Sequence, residues 1–250
     1  RFACGAWLDR TEIPKDKPQY GTFNVILDRN EATLHEILES AAKDPGPDPL
    51  LQKLGTFYAT CMDETALEKQ GTAALNPLFA VSARVKDDKS LLGALALLQR
   101  AGIDVLFDLG PIQDKKDATQ MIAQIGQGGL GLPDRDYYVK DDEHSAQLRE
   151  AYRAHIEKML ALAGRKPADA KLVAAHTLAI ETAIAKHQKT RVELRDETGT
   201  YNRIDRAGLA RHAPLSWDTY FESLGFPAIS SINTVAVPYV EAFATLIKSF

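Results

Sequence analysis

Gly128-Gly129-Leu130-Gly131-Leu132-Pro133-Asp134-Arg135-Asp136-Tyr137-Tyr138 carries the strongest backbone constraints in the chain. Several glycines allow positive φ and close backbone approach. Pro133 fixes one dihedral and restricts Leu132 before it. Asp134 and Asp136 are placed to accept backbone N–H bonds or to pair with Arg135. Tyr137 and Tyr138 bring apolar bodies with polar tips. A nucleotide-binding glycine loop is the competing interpretation, because an apolar run precedes Gly126. However, Leu132-Pro133-Asp134 stands where a phosphate-binding helix should begin, and no Gly-Lys-Ser/Thr follows. The stretch is therefore expected to be a scaffold loop that joins a hairpin to a helix and lines a cavity.

Working outward, the apolar run Val105–Leu109 and the run Met121–Ile125 flank a polar stretch and predict a β-hairpin. Ile232–Val237, ended by Pro238, is a third strand candidate. A lone hairpin is marginal in water, so it must lie on helices. Helical spacing dominates elsewhere. Leu34, Ile37, Leu38, Ala41 and Ala42 form an amphipathic stripe, broken by Pro45-Gly46-Pro47. Asp48 is a cap for the next helix, with Pro49 at its first position. Asp87 or Asp88 opens a helix bearing Leu91, Leu95 and Leu98. Leu148 to Ala163, Leu172 to His187 and Trp217 to Leu224 mark three more. The fold class is mainly α: one continuous multi-helical domain with a small β-hairpin.

The 250 residues are 45% hydrophobic and 26% charged, with a net charge of −4 and mixed signs. This argues against nucleic acid as a partner. No apolar run reaches the ~20 residues needed to span a bilayer. The chain lacks an initiator Met, and helical spacing runs through Tyr239, Phe243, Leu246, Ile247 and Phe250 to the last residue. Both ends are read as truncations. Phe2 to Leu8 and Tyr239 to Phe250 are expected to expose apolar surface.

Chemistry-bearing residues are sparse. Two cysteines, Cys4 and Cys61, are too few for a disulfide framework. A bridge between them and two buried free thiols both stay open. Six histidines include no pair at i and i+4, the spacing that a helical zinc site needs. His35-Glu36-Ile37-Leu38-Glu39 comes nearest, with Glu39 in the second position, and reads as a solvated helix edge. His176 and His187 share a face but lie roughly 16 Å apart along the axis. No nucleophile elbow is present.

Further motifs stand in a fixed order around the glycine loop: Phe2-Ala3-Cys4-Gly5-Ala6-Trp7-Leu8, Ile13-Pro14, Tyr20-Gly21-Thr22-Phe23, Tyr58-Ala59-Thr60-Cys61-Met62-Asp63-Glu64 and Thr200-Tyr201-Asn202. Together they resemble the front half of the neprilysin family of zinc metalloendopeptidases. The resemblance implies two helical lobes around a closed cavity, with this chain building most of the lid lobe. It implies that the zinc, its ligands and the catalytic Glu belong to the other half. No catalytic residue and no metal ligand is then expected here, and zinc is a cofactor of the complete enzyme only. The substrate would be an oligopeptide. The partner would be the C-terminal catalytic half, carried on the same chain before truncation or supplied separately. No nucleic acid and no membrane contact is implied for this segment. The compartment would be secreted, periplasmic or membrane-anchored facing outside. The family's substrate-facing positions fall at Gln19, Asn24 and Leu27. Some relatives carry Arg, Asp and Arg there, so Gln19 and Asn24 are left as candidate substrate-binding donors and Leu27 as a packing residue. Cys4 and Cys61 match positions that pair with downstream cysteines in many relatives, so a bond between the two is not expected. A stand-alone helical module that binds a peptide or protein is the alternative.

Overall fold

A computed structural model describes residues 2, 4–17 and 19–248. Where the sequence suggests one continuous domain, the chain divides into two compact units, Arg1–Gly71 and Thr72–Phe250.

The first unit holds α1 (Gly5–Leu8), α2 (Thr22–Lys43), α3 (Pro49–Cys61) and α4 (Glu64–Gln70). The breaker Pro45-Gly46-Pro47 turns the chain between α2 and α3. Asp48 caps α3 as expected: its Oδ1 accepts the Leu50 N–H at 2.8 Å, with Pro49 at the first helical position. The two helices meet where Gly55 rests on the backbone of Ala41. Among the described residues of this unit, only Gly5, Ala41 and Gly55 are buried. Of the stripe residues Leu34, Leu38 and Ala41, read as inward-facing, Ala41 is buried and Leu38 half-buried, but Leu34 is exposed. A contact through small residues brings the backbones close and splays the larger side chains to either side. Cys4 and Cys61 are both free and both exposed, which removes the interpretation as buried thiols.

The second unit holds α5 (Asn76–Ser82), α6 (Asp88–Arg100), β1 (Leu109–Gln113), β2 (Met121–Ile125), α7 (Asp136–Val139), α8 (Glu143–Leu162), α9 (Pro167–His187), β3 (Arg203–Asp205), α10 (Arg206–His212), α11 (Trp217–Leu224), β4 (Ser231–Thr234) and α12 (Val237–Ile247). The sheet runs β1-β2-β4-β3. The hairpin forms, but its first strand lies further along the chain than the apolar run suggests, with Leu109 opposite Ile125 and Gln113 opposite Met121. Pro111 is tolerated because β1 is an edge strand. The run Val105–Phe107 instead makes a tight turn that sends Phe107 into the core. The third strand candidate shortens to β4, parallel to β2, because Val237 and Pro238 open α12. β3 is too short and polar to show in the sequence.

The core is aromatic. Phe107 meets Tyr220 at 5.3 Å and Phe243 at 5.5 Å between ring centroids, both edge-on. Trp217 donates Nε1–H to the Ala213 carbonyl at 2.7 Å. Tyr239 and Phe243, expected to await a missing half, are buried here. Phe250 lies outside the described residues. At the N-terminus Phe2 and Leu8 are exposed, as anticipated.

Two polar groups tie the sheet together. Asn233, fully buried, accepts the Asn202 N–H at 2.6 Å and donates to Gln124 Oε1 at 2.8 Å and the Thr200 carbonyl at 3.0 Å. The Thr200-Tyr201-Asn202 motif thus serves strand pairing. Asp114, also buried, accepts the Lys116 N–H at 2.9 Å, the Tyr201 hydroxyl at 2.8 Å and an Arg203 N–H at 2.7 Å. These donors, the Lys116 N–H first, hold its carboxyl below the usual carboxylate range. A depressed folded-state value stabilises the fold above the unfolded-state value of about 3.9, and that stability is lost as pH falls further. Urea midpoints measured from neutral pH down to about pH 3 should therefore fall more steeply in the parent than in D114N. Parallel curves would show that Asp114 has no part in acid sensitivity.

Candidate functional site

The glycine-rich stretch connects β2 to α7 and forms one wall of a cavity of about 920 Å³. The other wall is α9, through Thr177, Ile180, Glu181 and Ile184, with Gln188 just past its end. The turn Asp104–Asp108 completes the rim.

The loop is held in place by side chains whose roles the sequence did not reveal. Glu181, one residue beyond Ile180 on α9, is the main anchor. Its Oε2 accepts the Tyr138 hydroxyl at 2.5 Å and the Gly131 N–H at 3.1 Å, and its Oε1 accepts the Tyr152 hydroxyl at 2.9 Å. Tyr138 in turn accepts the Leu132 N–H at 2.8 Å. Burial, and then the bond to Glu181, push both phenols well above the ordinary tyrosine range, so they remain donors. Gln188 donates to the Gly128 carbonyl at 2.7 Å. Tyr239 donates to the carbonyls of Leu106 and, at 3.0 Å, Gly128. Its burial raises the phenol to about 12. The expected pairing within the motif is present: Arg135 meets Asp136 at 3.3 Å, and the Asp136 N–H reaches Asp134 at 2.9 Å. Arg191 from outside the motif adds an ion pair to Asp134 at 2.7 Å. The cavity-lining scaffold predicted from the motif is what forms.

Gln19 and Asn24 lie in the first unit. Gln19 is exposed. Asn24 sits in the first turn of α2, where its Oδ1 accepts the Gly21 N–H at 3.0 Å. Leu27 is exposed, as is Phe23 beside Asn24 at 89%. Asp28, not singled out by sequence, organises this segment by accepting from Lys17 and, at 2.7 Å, from the Tyr20 hydroxyl.

Zinc chemistry has no seat in these residues. His35 Nε2 and Glu39 Oε1 stand 3.5 Å apart on an exposed helix edge. Among the described residues, no three His, Cys, Asp or Glu side chains gather where an ion could be held. The donor set does not fit the metal that the sequence resemblance implies.

The fold and the motifs therefore describe a mainly helical chain of two units with a glycine-loop cavity. The sequence model of peptidase family M13, its N-terminal part, matches residues 1–250. The chain belongs to peptidase family M13. It is 28% identical to human endothelin-converting enzyme-like 1 over 99% of its own length and 34% of that protein. It is 28% identical to Drosophila melanogaster neprilysin-3 over 89% of its length and 30% of that protein. Among solved structures, the inhibitor complex of Mycobacterium tuberculosis zinc metalloprotease Zmp1 matches with a TM-score of 0.85 and 32% identity. That match covers 98% of this chain and 38% of Zmp1. The chain thus spans about a third of the length of these curated relatives. No helix among the described residues is long and apolar enough to cross a membrane.

Proposed function

We propose that this chain is the substrate-enclosing portion of a zinc metalloendopeptidase that hydrolyses oligopeptides outside the cytoplasm. Zinc, its ligands and the catalytic base would come from residues beyond this chain. The observation that carries the reading is the M13 match along residues 1–250, confined to about a third of the relatives' length. Elemental analysis and a peptide-cleavage assay test this reading. The 250-residue chain alone should hold no stoichiometric zinc and cleave nothing. The whole gene product should hold one zinc and cleave short peptides but not folded proteins. Zinc held by the chain alone, and lost in the H35A/E39A variant, would place the metal here and overturn the assignment. A whole product with neither zinc nor activity would favour a binding module.

Within this reading Gln19 and Asn24 donate to the bound peptide, flanked by the exposed Phe23. N24D is the informative change in the whole enzyme, because it keeps the acceptor that caps α2 and removes the amide donor. One lost hydrogen bond should raise KM by about fivefold with kcat nearly unchanged. An unchanged KM removes Asn24 from the substrate site.

A further inference from the structure

The cavity between the glycine-rich loop and α9 has walls and charges that define what it would hold. Its interior is apolar, built from Leu106, Leu130, Leu132, Ile180 and Ile184. Four carboxylates and two guanidiniums line it. Both guanidiniums are already matched, Arg135 by Asp136 and Arg191 by Asp134. Glu181 is saturated by its three donors. That leaves Asp104 and Asp108 on the rim. Among the described residues, neither is met by a cation or by another residue's side-chain donor. Partial desolvation of Asp108, which stays exposed, and then the like charge of Asp104 hold the Asp108 carboxyl above its ordinary range. The walls are also preformed. The loop is clamped by Glu181, Gln188 and Tyr239, and Leu106 is held at φ 61° with the Phe107 N–H bonded to the Val105 carbonyl at 2.7 Å. An apolar, preformed cavity with few unmatched polar groups is the usual form of a ligand site.

We propose that this cavity binds a peptide segment in which a lysine or arginine stands beside apolar side chains, the cation meeting Asp104 and Asp108. The apolar neighbours rest on the half-buried Leu130, Leu132 and Ile180. Charge complementarity selects the occupant: an acidic segment would face two uncompensated carboxylates, and a neutral one would leave them unmatched. This site stands in the Thr72–Phe250 unit and does not depend on the peptidase reading.

Isothermal titration of three blocked tripeptides, Leu-Lys-Leu, Leu-Gln-Leu and Leu-Glu-Leu, tests it on the 250-residue chain and on the whole gene product. The lysine peptide should bind about tenfold more tightly than the glutamine peptide, and the glutamate peptide more weakly still. Raising the salt should narrow the gap. In D104N/D108N the lysine preference should vanish while the glutamine peptide is unaffected. Since both sites are exposed, the variant should keep its fold, which Trp217 fluorescence checks. I180D should abolish binding of all three. Equal affinity for lysine and glutamine peptides, a preference that survives D104N/D108N, or binding by the chain that is lost in the whole product would each overturn the proposal. The last result would mean that the rest of the protein fills the cavity. None of these outcomes turns on zinc or catalysis.

Discussion

Replacing Gly129 with alanine should destabilise the Thr72–Phe250 unit by about 3–5 kcal/mol, at the severe end for one methyl group. Gly129 sits at φ 75°, where an L side chain is strained. Its added Cβ would also lie 2.7 Å from Leu106 Cα and 3.0 Å from the Leu106 carbonyl oxygen. Those are backbone atoms, and they have no room to retreat. Leu106 is pinned by its own left-handed turn and by Tyr239, which bonds the carbonyls of both Leu106 and Gly128. Relief of the clash would unmake that bridge and lift the loop from Phe107. Urea unfolding followed by Trp217 fluorescence measures the loss. G110A is the control, because nothing lies within 4 Å of a Cβ there; it should shift the midpoint little. A G129A midpoint equal to that of G110A would show that the loop is not held as described.

The second large effect belongs to the first unit. Gly to Ala inside a helix ordinarily stabilises by about 1 kcal/mol. At Gly55 the sign should reverse. The new Cβ would lie 2.2 Å from the Ala41 carbonyl oxygen and 2.5 Å from its carbon, so α2 and α3 must move apart. This unit buries few side chains; the rings of His35 and Tyr58, edge-on at 6.1 Å between centroids, also meet across the pair. Hydrogen exchange over residues 22–61 should accelerate by at least tenfold in G55A, about 1.4 kcal/mol. Exchange in β2 and β4 should stay unchanged. Slower exchange across α2 and α3 would mean that the helices do not touch at this point.

How much of this was legible follows from what each feature rests on. Caps and breakers are local, so Asp48, Pro49, Asp87 and Pro45-Gly46-Pro47 set helix ends where the sequence placed them. The glycine-rich stretch was legible as a cavity-lining loop because its backbone demands are written in its composition. The position of β1 was not. An apolar run marks burial, and Val105–Phe107 satisfied burial through a turn, leaving the less apolar Leu109–Gln113 to pair. The inward face of α2 was read correctly at Ala41 but not at Leu34: periodicity locates an apolar stripe, whereas packing depends on the closest contact, and Ala41 against Gly55 takes it.

The helical class, the loop that shapes the cavity, the lack of a His pair at i and i+4 and the order of motifs that carries the family resemblance could all be read without coordinates. These are properties of short segments or of residue types present. Packing was needed to show that Glu181 anchors Tyr138, Tyr152 and Gly131, that Asn233 and Asp114 knit four short strands, that Tyr239 and Phe243 belong to the core, and that Asp104 and Asp108 meet no cation among the described residues. Each of these depends on residues brought together from segments far apart in the chain. The partner of a buried polar group is set by where the backbone returns, and no local pattern records that.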